Sequence, residues 1–335
     1  MLVSNSGPDA ASRAAIRLLM RRLPGASAVE GSSNLELSST SEQPQLRSAE
    51  IVEGSKLRAN KVPDVTRTMA SGFGAFLDGA QKVRMIGRYE SAPLVLGITS
   101  AAVRVRVNRR LVTWGDQPPR LEHKLYLPLR YLPLSMEPPD AGQPEYGQWP
   151  VVDTSTANSN GEYPSPHPTM LLERAIRAVD QEREALEDEL AEAWCARGEA
   201  PLFVDGGISR SGRVASSTNV IGVIKSHRTL YVEGEALKTV VGLDKGERSS
   251  VFLVSPRSRH AVMSWYLRLR DPAGHDVLWG LVRVEMSQCE NPSERADEIS
   301  RWVLAETSPL ALPDGRWDKM SYGIRDVEEF LRAIS

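Results

Sequence analysis

Apolar positions along the chain fall into two strand-like blocks separated by one long helix. From Gly72 to Trp114 the text runs GFGAFLDG, KVRMIGRY, APLVLGITSAAVRVRV and RRLVTW. These β-branched runs, broken by turn residues, predict a meander of three or four antiparallel strands. Between Gly115 and Thr169 prolines recur (DQPPRL, YLPLRYLPLSMEPPDAGQPEYGQWP, YPSPHPTM). Proline breaks helices and cannot donate to a sheet ladder, so 115–169 is expected to be an inserted region of short extended pieces. The helix follows as TMLLERAIRAVDQEREALEDELAEAWCARG, with Leu172, Ile176, Val179, Leu186, Leu190 and Ala193 at helical spacing and Gly198 as its stop. APLFVDGG, NVIGVIKSH, TLYVEG, SSVFLVSP, SWYLRLRD and LWGLVRVEM then read as strands, and PSERADEISRWVLAET and IRDVEEFLRAI as closing helices. Strands, a long helix, more strands and more helices make an α/β domain with a mixed sheet.

Ahead of this block, residues 25–60 are rich in Ser, Glu and Asn and show little periodicity, while 10–28 is arginine-rich with a helical period. The expected division is a flexible leader and linker over 1–61, then one domain over 62–335.

Composition removes several classes of function. With 41 Lys+Arg against 43 Asp+Glu there is no global basic field, so a polyanion must be met by local patches. Only Cys195 and Cys289 are present, which suits a reducing cytosol and offers no disulfide framework. No apolar run approaches the roughly 18 residues that span a membrane. The phosphate-binding G-x-x-x-x-G-K-[ST], the zinc-binding H-E-x-x-H and the G-x-S-x-G elbow are all missing. Carboxylates are left to carry any chemistry.

Two short stretches draw attention, FLDG at 76–79 and FVDG at 203–206. Singly, each is a turn signal. Together, Asp78 and Asp205 stand where apolar strands end, and neighbouring strands would bring them together as ligands for Mg²⁺ or Mn²⁺, whose preferred donors are carboxylate oxygens. Gly79 and Gly206 would then leave room for a phosphate backbone. A third carboxylate is expected from the long helix, where Glu182, Glu184, Glu187, Asp188 and Glu189 are available. Arg183 and Glu187 have the spacing of a solvated i,i+4 pair. Glu187 also adjoins Leu186 and Leu190 at the edge of the apolar stripe, a position from which it can reach the sheet. Glu285, at the end of GLVRVEM, is a further exposed strand-end carboxylate, expected either in an outer-shell role at the metal site or at the plain surface.

The order FLDGAQ, REALEDELAEA, LFVDGG, VIGVIKSH and MSYGIRDVEEFLRAI resembles the NurA nuclease domain over about residues 62–335. That resemblance implies an RNase H-like fold, a homodimer, Mn²⁺ or Mg²⁺ as cofactor, and degradation of DNA in the cytoplasm alongside a HerA-like hexameric ATPase, in repair or in defence against phage. It implies a two-metal mechanism with Asp78, Glu187 and Asp205 as ligands and Lys225 holding the scissile phosphate or its developing charge. Where relatives carry a histidine on the last helix this chain has YGIRDVEEF, so Glu328, or failing that Asp326, is expected as the fourth ligand.

DNA contacts are expected from Arg104 and Arg106, which alternate with valines on one strand face, and from Arg210 and Arg213 in SRSGRVASSTN, a loop expected to be flexible. The competing reading is a catalytically silent RNase H-like subunit that binds DNA while docked on a motor ATPase. A third is another RNase H-like phosphotransferase acting on RNA or as a transposase.

Overall fold

The structure is a computed structural model that describes residues 10–28, 44–63, 71–108, 110–115, 119–133, 145–146, 149–198, 200–255, 259–307 and 318–334. Helix α1 (Ala10–Arg22) buries Ala15 and Leu19 on the same apolar cluster as Ile86, Leu94, Leu96 and Leu125. Strands β1 (Ala75–Tyr89) and β2 (Ala92–Val107) form one long antiparallel hairpin, with a register shift between Met85 and Gly87. Both β3 (Arg110–Thr113) and β4 (Arg120–Leu127) pair antiparallel with β2, and β5 (Trp149–Asp153) lies parallel beside β4.

Helix α2 (Pro168–Arg197) then crosses the sheet and returns the chain to β6 (Leu202–Asp205), parallel beside β1. After the short α3 (Gly212–Ala215) comes β7 (Val220–Ile224), parallel to β6. Helix α4 (Gly234–Val241) leads to β8 (Glu247–Ser249), β9 (Phe252–Val254), β10 (Val262–Arg268) and β11 (Leu281–Met286). β11 pairs antiparallel with both β7 and β10, and β9 pairs with β10. Helices α5 (Pro292–Glu306) and α6 (Tyr322–Ile334) close the domain. The main path across the sheet is therefore β5-β4-β2-β1-β6-β7-β11-β10-β9, a large mixed sheet in an α/β fold flanked by helices.

Strand alternation sorts side chains to two faces. Phe76, Phe203, Ile221 and Val223 pack with Ile299 and Val303 of α5 and with Ile324, Val327 and Leu331 of α6. Ala75, Leu77, Leu202 and Val204 pack on the other side with Ala191 and Trp194 of α2. Gly323 lets α6 press onto β1, because a side chain there would enter the Phe76 ring. Phe73, Phe76, Trp265 and Tyr266 are fully buried core residues.

Several elements depart from the expectation. Asp78–Gly79 makes no turn: the continuous apolar run of β2 supplies a partner at every step, with Asp78 opposite Ala102 and Gly79 opposite Ala101. The turn falls instead at Glu90, whose φ is 50°. HKLYL, placed in the inserted region, forms most of β4, an interior strand of the sheet, since the prolines flank the ladder, at 118–119 before it and at 128 after it. The leader is partly integrated as well. Glu50–Ile51 pairs with β9, Ala59–Lys61 pairs with β8, and Glu53 accepts 2.7 and 3.0 Å hydrogen bonds from buried Arg248. Burial opposes the charge on Glu53, but Arg248 and Ser293 overcome it and hold the carboxyl below its usual range. Residues 1–9 and 29–43, and the prolines between 134 and 144, lie outside the described residues.

Candidate metal centre

The parallel register Leu202–Ala75, Phe203–Phe76 and Val204–Leu77 brings Asp205 level with Asp78 one residue further on. Both continue the alternation of Phe203 and Phe76, so both face α6. Glu328, on the second turn of α6, meets them there: one carboxylate oxygen from each of Asp78, Asp205 and Glu328 lies within 4.8 Å of the others. Asp205 is the last residue of β6, and Gly206 carries the chain away at φ 141°, a conformation that favours glycine. Asp78 differs in being the fourth residue of a fifteen-residue strand. Lys225 follows the last residue of β7 and donates to Asp205 Oδ2 at 2.6 Å.

Three carboxylates against the Lys225 ammonium and the exposed Arg332, 3.4 Å from Glu328, leave a net negative group in a half-closed setting. Asp78 is 9% exposed, while the side chains of Asp205, Lys225 and Glu328 are 18–25% exposed. Burial first, then the charges of Asp205 and Glu187, push the Asp78 carboxyl well above its usual range, and Lys225 and the Gly79 N–H only partly offset them. Burial disfavours the charge on Lys225, but Asp205, Asp78 and Glu328 outweigh it and raise its pKa. The donor set fits a hard divalent cation: three oxygens converge, and like charges crowd a desolvated aspartate that a cation would relieve. Asp78, Asp205 and Glu328 would hold such an ion.

Glu187 approaches from the opposite face of β1. The buried stripe of α2 runs through Leu171, Ala175 and Val179 and resumes at Ala191 and Trp194; between them it carries Arg183 and Glu187. This polar interruption crosses β1 at Gly79 and Gln81. Arg183 donates to Gln81 Oε1 at 3.1 Å, to Asp180 Oδ1 at 2.7 Å and to Glu187. Arg210 lies 3.5 Å from the other Glu187 oxygen. A Cβ on Gly79 would collide with the Glu187 carboxylate, so this glycine makes room for a side chain of the protein itself. Burial raises the Glu187 pKa, against the pull of Arg183 and Arg210. Glu187 is thus a neighbour of the carboxylate group on the α6 face, and its own oxygens are held by two arginines.

Other candidate residues have structural partners. Asp326 pairs with Arg104 at 2.8 Å, and Arg104 also donates to Thr113 and to the Leu111 carbonyl, which ties α6 to the sheet. Arg106 makes two bonds to Glu306 and one to the Phe73 carbonyl. Arg104 is thereby tied to α6 and Arg106 to α5, with Arg106 still exposed. Glu285 is 2% exposed, contrary to its expected surface position. Lying between β7 and β10, it accepts from the Ile208 N–H at 2.9 Å and from Arg283 at 2.6 Å, and so anchors the loop that follows Asp205. Arg210 bonds Asp188 and Glu184 on α2, whereas Arg213 is exposed. The SRSG stretch is ordered: Ser211 caps α3 and bonds Glu192. Lys319 goes unrecognised in the sequence, and Arg183 is expected there only in a solvated pair; the lapse of the apolar stripe at 183 and 187 is the signal that marks its buried role.

No family model and no curated protein matches the chain. Among the described residues, no helix is long and apolar enough to cross a membrane.

Proposed function

We propose that the chain is a metal-dependent DNA nuclease of the RNase H-like, NurA-type class. The observation that carries this reading is the convergence of Asp78, Asp205 and Glu328, with Lys225 beside them, across two adjacent parallel strands and the last helix. The sheet order supports it: an antiparallel β4-β2-β1 meander, a crossover through α2, then β6 and β7 parallel to β1 is the arrangement expected of an RNase H-like core. Bound Mn²⁺ or Mg²⁺ would activate a water and stabilise the leaving oxygen of a phosphodiester. Asp78, Asp205 and Glu328 orient that chemistry from the α6 face. Lys225, held by Asp205, presents a cation to the phosphate and its developing charge. Arg183 and Arg210 fix Glu187 behind β1, and Glu285 fixes the loop after Asp205.

Unwinding must come from elsewhere, since the chain carries no phosphate-binding loop for ATP; a HerA-like hexameric ATPase is the proposed partner of a homodimer in the cytoplasm. The test is cleavage of labelled single-stranded and duplex DNA with Mn²⁺, beside Asp78→Asn. Wild-type cleavage that is lost in the variant supports the reading, and identical products from the two proteins reject it.

A second reading, a catalytically silent DNA-binding subunit, is favoured by one observation: both oxygens of Glu187 are engaged by arginines. DNA binding without metal-dependent cleavage would select it.

A further inference from the structure

The segment entering α6 carries a cation that the proposed chemistry has not used. Asp318 Oδ2 accepts from the Gly280 N–H at 2.6 Å, and the next residue, Lys319, donates from Nζ to the Lys225 carbonyl at 3.0 Å. These two bonds fix the half-buried Lys319 beside the lysine that pairs with Asp205. Four other cations around the centre have carboxylates, Lys225 with Asp205, Arg183 with Glu187, Arg210 with Asp188 and Arg283 with Glu285, while buried Arg268 bonds carbonyls. Lys319 has none within ion-pairing distance among the described residues, and its one acceptor is a neutral carbonyl.

The surroundings hold charges of both signs. Burial first, then Arg268 and Lys225, lower the Lys319 pKa, with Asp318 and Asp276 opposing. Arg268 is itself fully buried against the carbonyls of Leu243, Trp279 and Val241. A half-buried ammonium whose one acceptor is a neutral carbonyl, with two N–H donors to spare, can take an anion.

We propose that Lys319 binds a backbone phosphate of the nucleic-acid strand, the one flanking the phosphate at the metal centre. This rests on the nuclease reading above and names a subsite of the same strand. Lys319 bonds the backbone of Lys225 itself, so a sugar-phosphate chain that meets Lys225 at the carboxylates would reach Lys319 next. Lys319 is then a positioning residue: it sets where the strand lies, while the chemistry stays with the carboxylates and Lys225.

The experiment is the salt dependence of binding of a fluorescein-labelled single-stranded oligonucleotide, measured by anisotropy in EDTA so that nothing is cleaved. Wild type, Lys319→Gln, Lys319→Arg and the remote surface variant Lys238→Gln are compared. Losing one phosphate contact to a single strand lowers the slope of log affinity against log salt by about 0.7. Lys319→Gln is expected to show that decrease with several-fold weaker binding at low salt, Lys319→Arg to recover it, and Lys238→Gln to match wild type. An unchanged slope in Lys319→Gln, or a loss that Lys319→Arg does not repair, overturns the subsite. Wild-type protein that binds no oligonucleotide defeats the nuclease reading, and the subsite with it.

Discussion

The two faces of strand β1 treat acidic side chains in opposite ways. Toward α6, Asp78 meets Asp205 and Glu328; among the described residues the cations bonded to this group are Lys225, on Asp205, and the exposed Arg332, 3.4 Å from Glu328. Toward α2, one residue later, Gly79 admits Glu187, whose oxygens are matched by Arg183 and Arg210. The second face is a satisfied buried ion cluster; the first carries an excess of negative charge that folding alone does not favour. Buried charges are kept when paired and are costly when left in excess. This contrast separates a face whose charges are paired within the fold from a face whose three carboxylates could hold a cation.

Substitutions break the contrast in graded ways. The largest effect is expected on cleavage, where Glu328→Gln removes an oxygen donor and lowers the rate by more than the roughly 10–100-fold typical of lost outer-shell partners. Asp326→Asn, which loses only the bond to Arg104, should stay within that range when both are assayed with Mn²⁺. Next comes stability on the α2 face. Arg183→Met strips Glu187 of its closest partner, and chemical denaturation should show a loss of about 3 kcal/mol, the scale for breaking one side of a buried pair.

Gly79→Ala forces a methyl group into the Glu187 carboxylate and is expected to cost about 1–3 kcal/mol, as overpacking does. Adding Glu187→Ala should recover part of that loss in a double-mutant cycle. The smallest effect runs the other way. In EDTA at neutral pH, Asp78→Asn is expected to raise the melting temperature by a few degrees, about the shift of a 1 kcal/mol gain. The sign follows from linkage: a carboxyl whose folded pKa lies above its unfolded value binds more protons when folded. It therefore lowers stability as pH rises between the two values, and the full cost persists above the folded one. The gain should vanish as pH falls below the ordinary aspartate range.

How far the sequence reveals this site depends on the kind of signal. Strand alternation sufficed for Asp78 and Asp205, because FLDG and FVDG each carry an apolar run into an aspartate and the parallel register aligns them. The turn reading of Asp78–Gly79 failed because a dipeptide cannot show that β2 continues opposite it. Glu328 was singled out through the family resemblance, since its spacing on an amphipathic helix is shared by Asp326 and Glu329. Only the docking of α6 through Ile324, Val327 and Leu331 separates them. Arg183 and Glu187 looked like a surface pair because i,i+4 spacing is the same inside and out. Integration of residues 44–61 was hidden for a similar reason: its short pairings and the Glu53–Arg248 bonds depend on partners nearly two hundred residues away.

The central claim is that the α6 face of β1 holds a divalent cation. Calorimetric titration of Mn²⁺ into metal-free protein tests it most directly. The account predicts saturable binding to wild type, strong weakening in Asp78→Asn and Glu328→Gln, and little change in Asp326→Asn. Equal Mn²⁺ affinity in wild type and both ligand variants would contradict it.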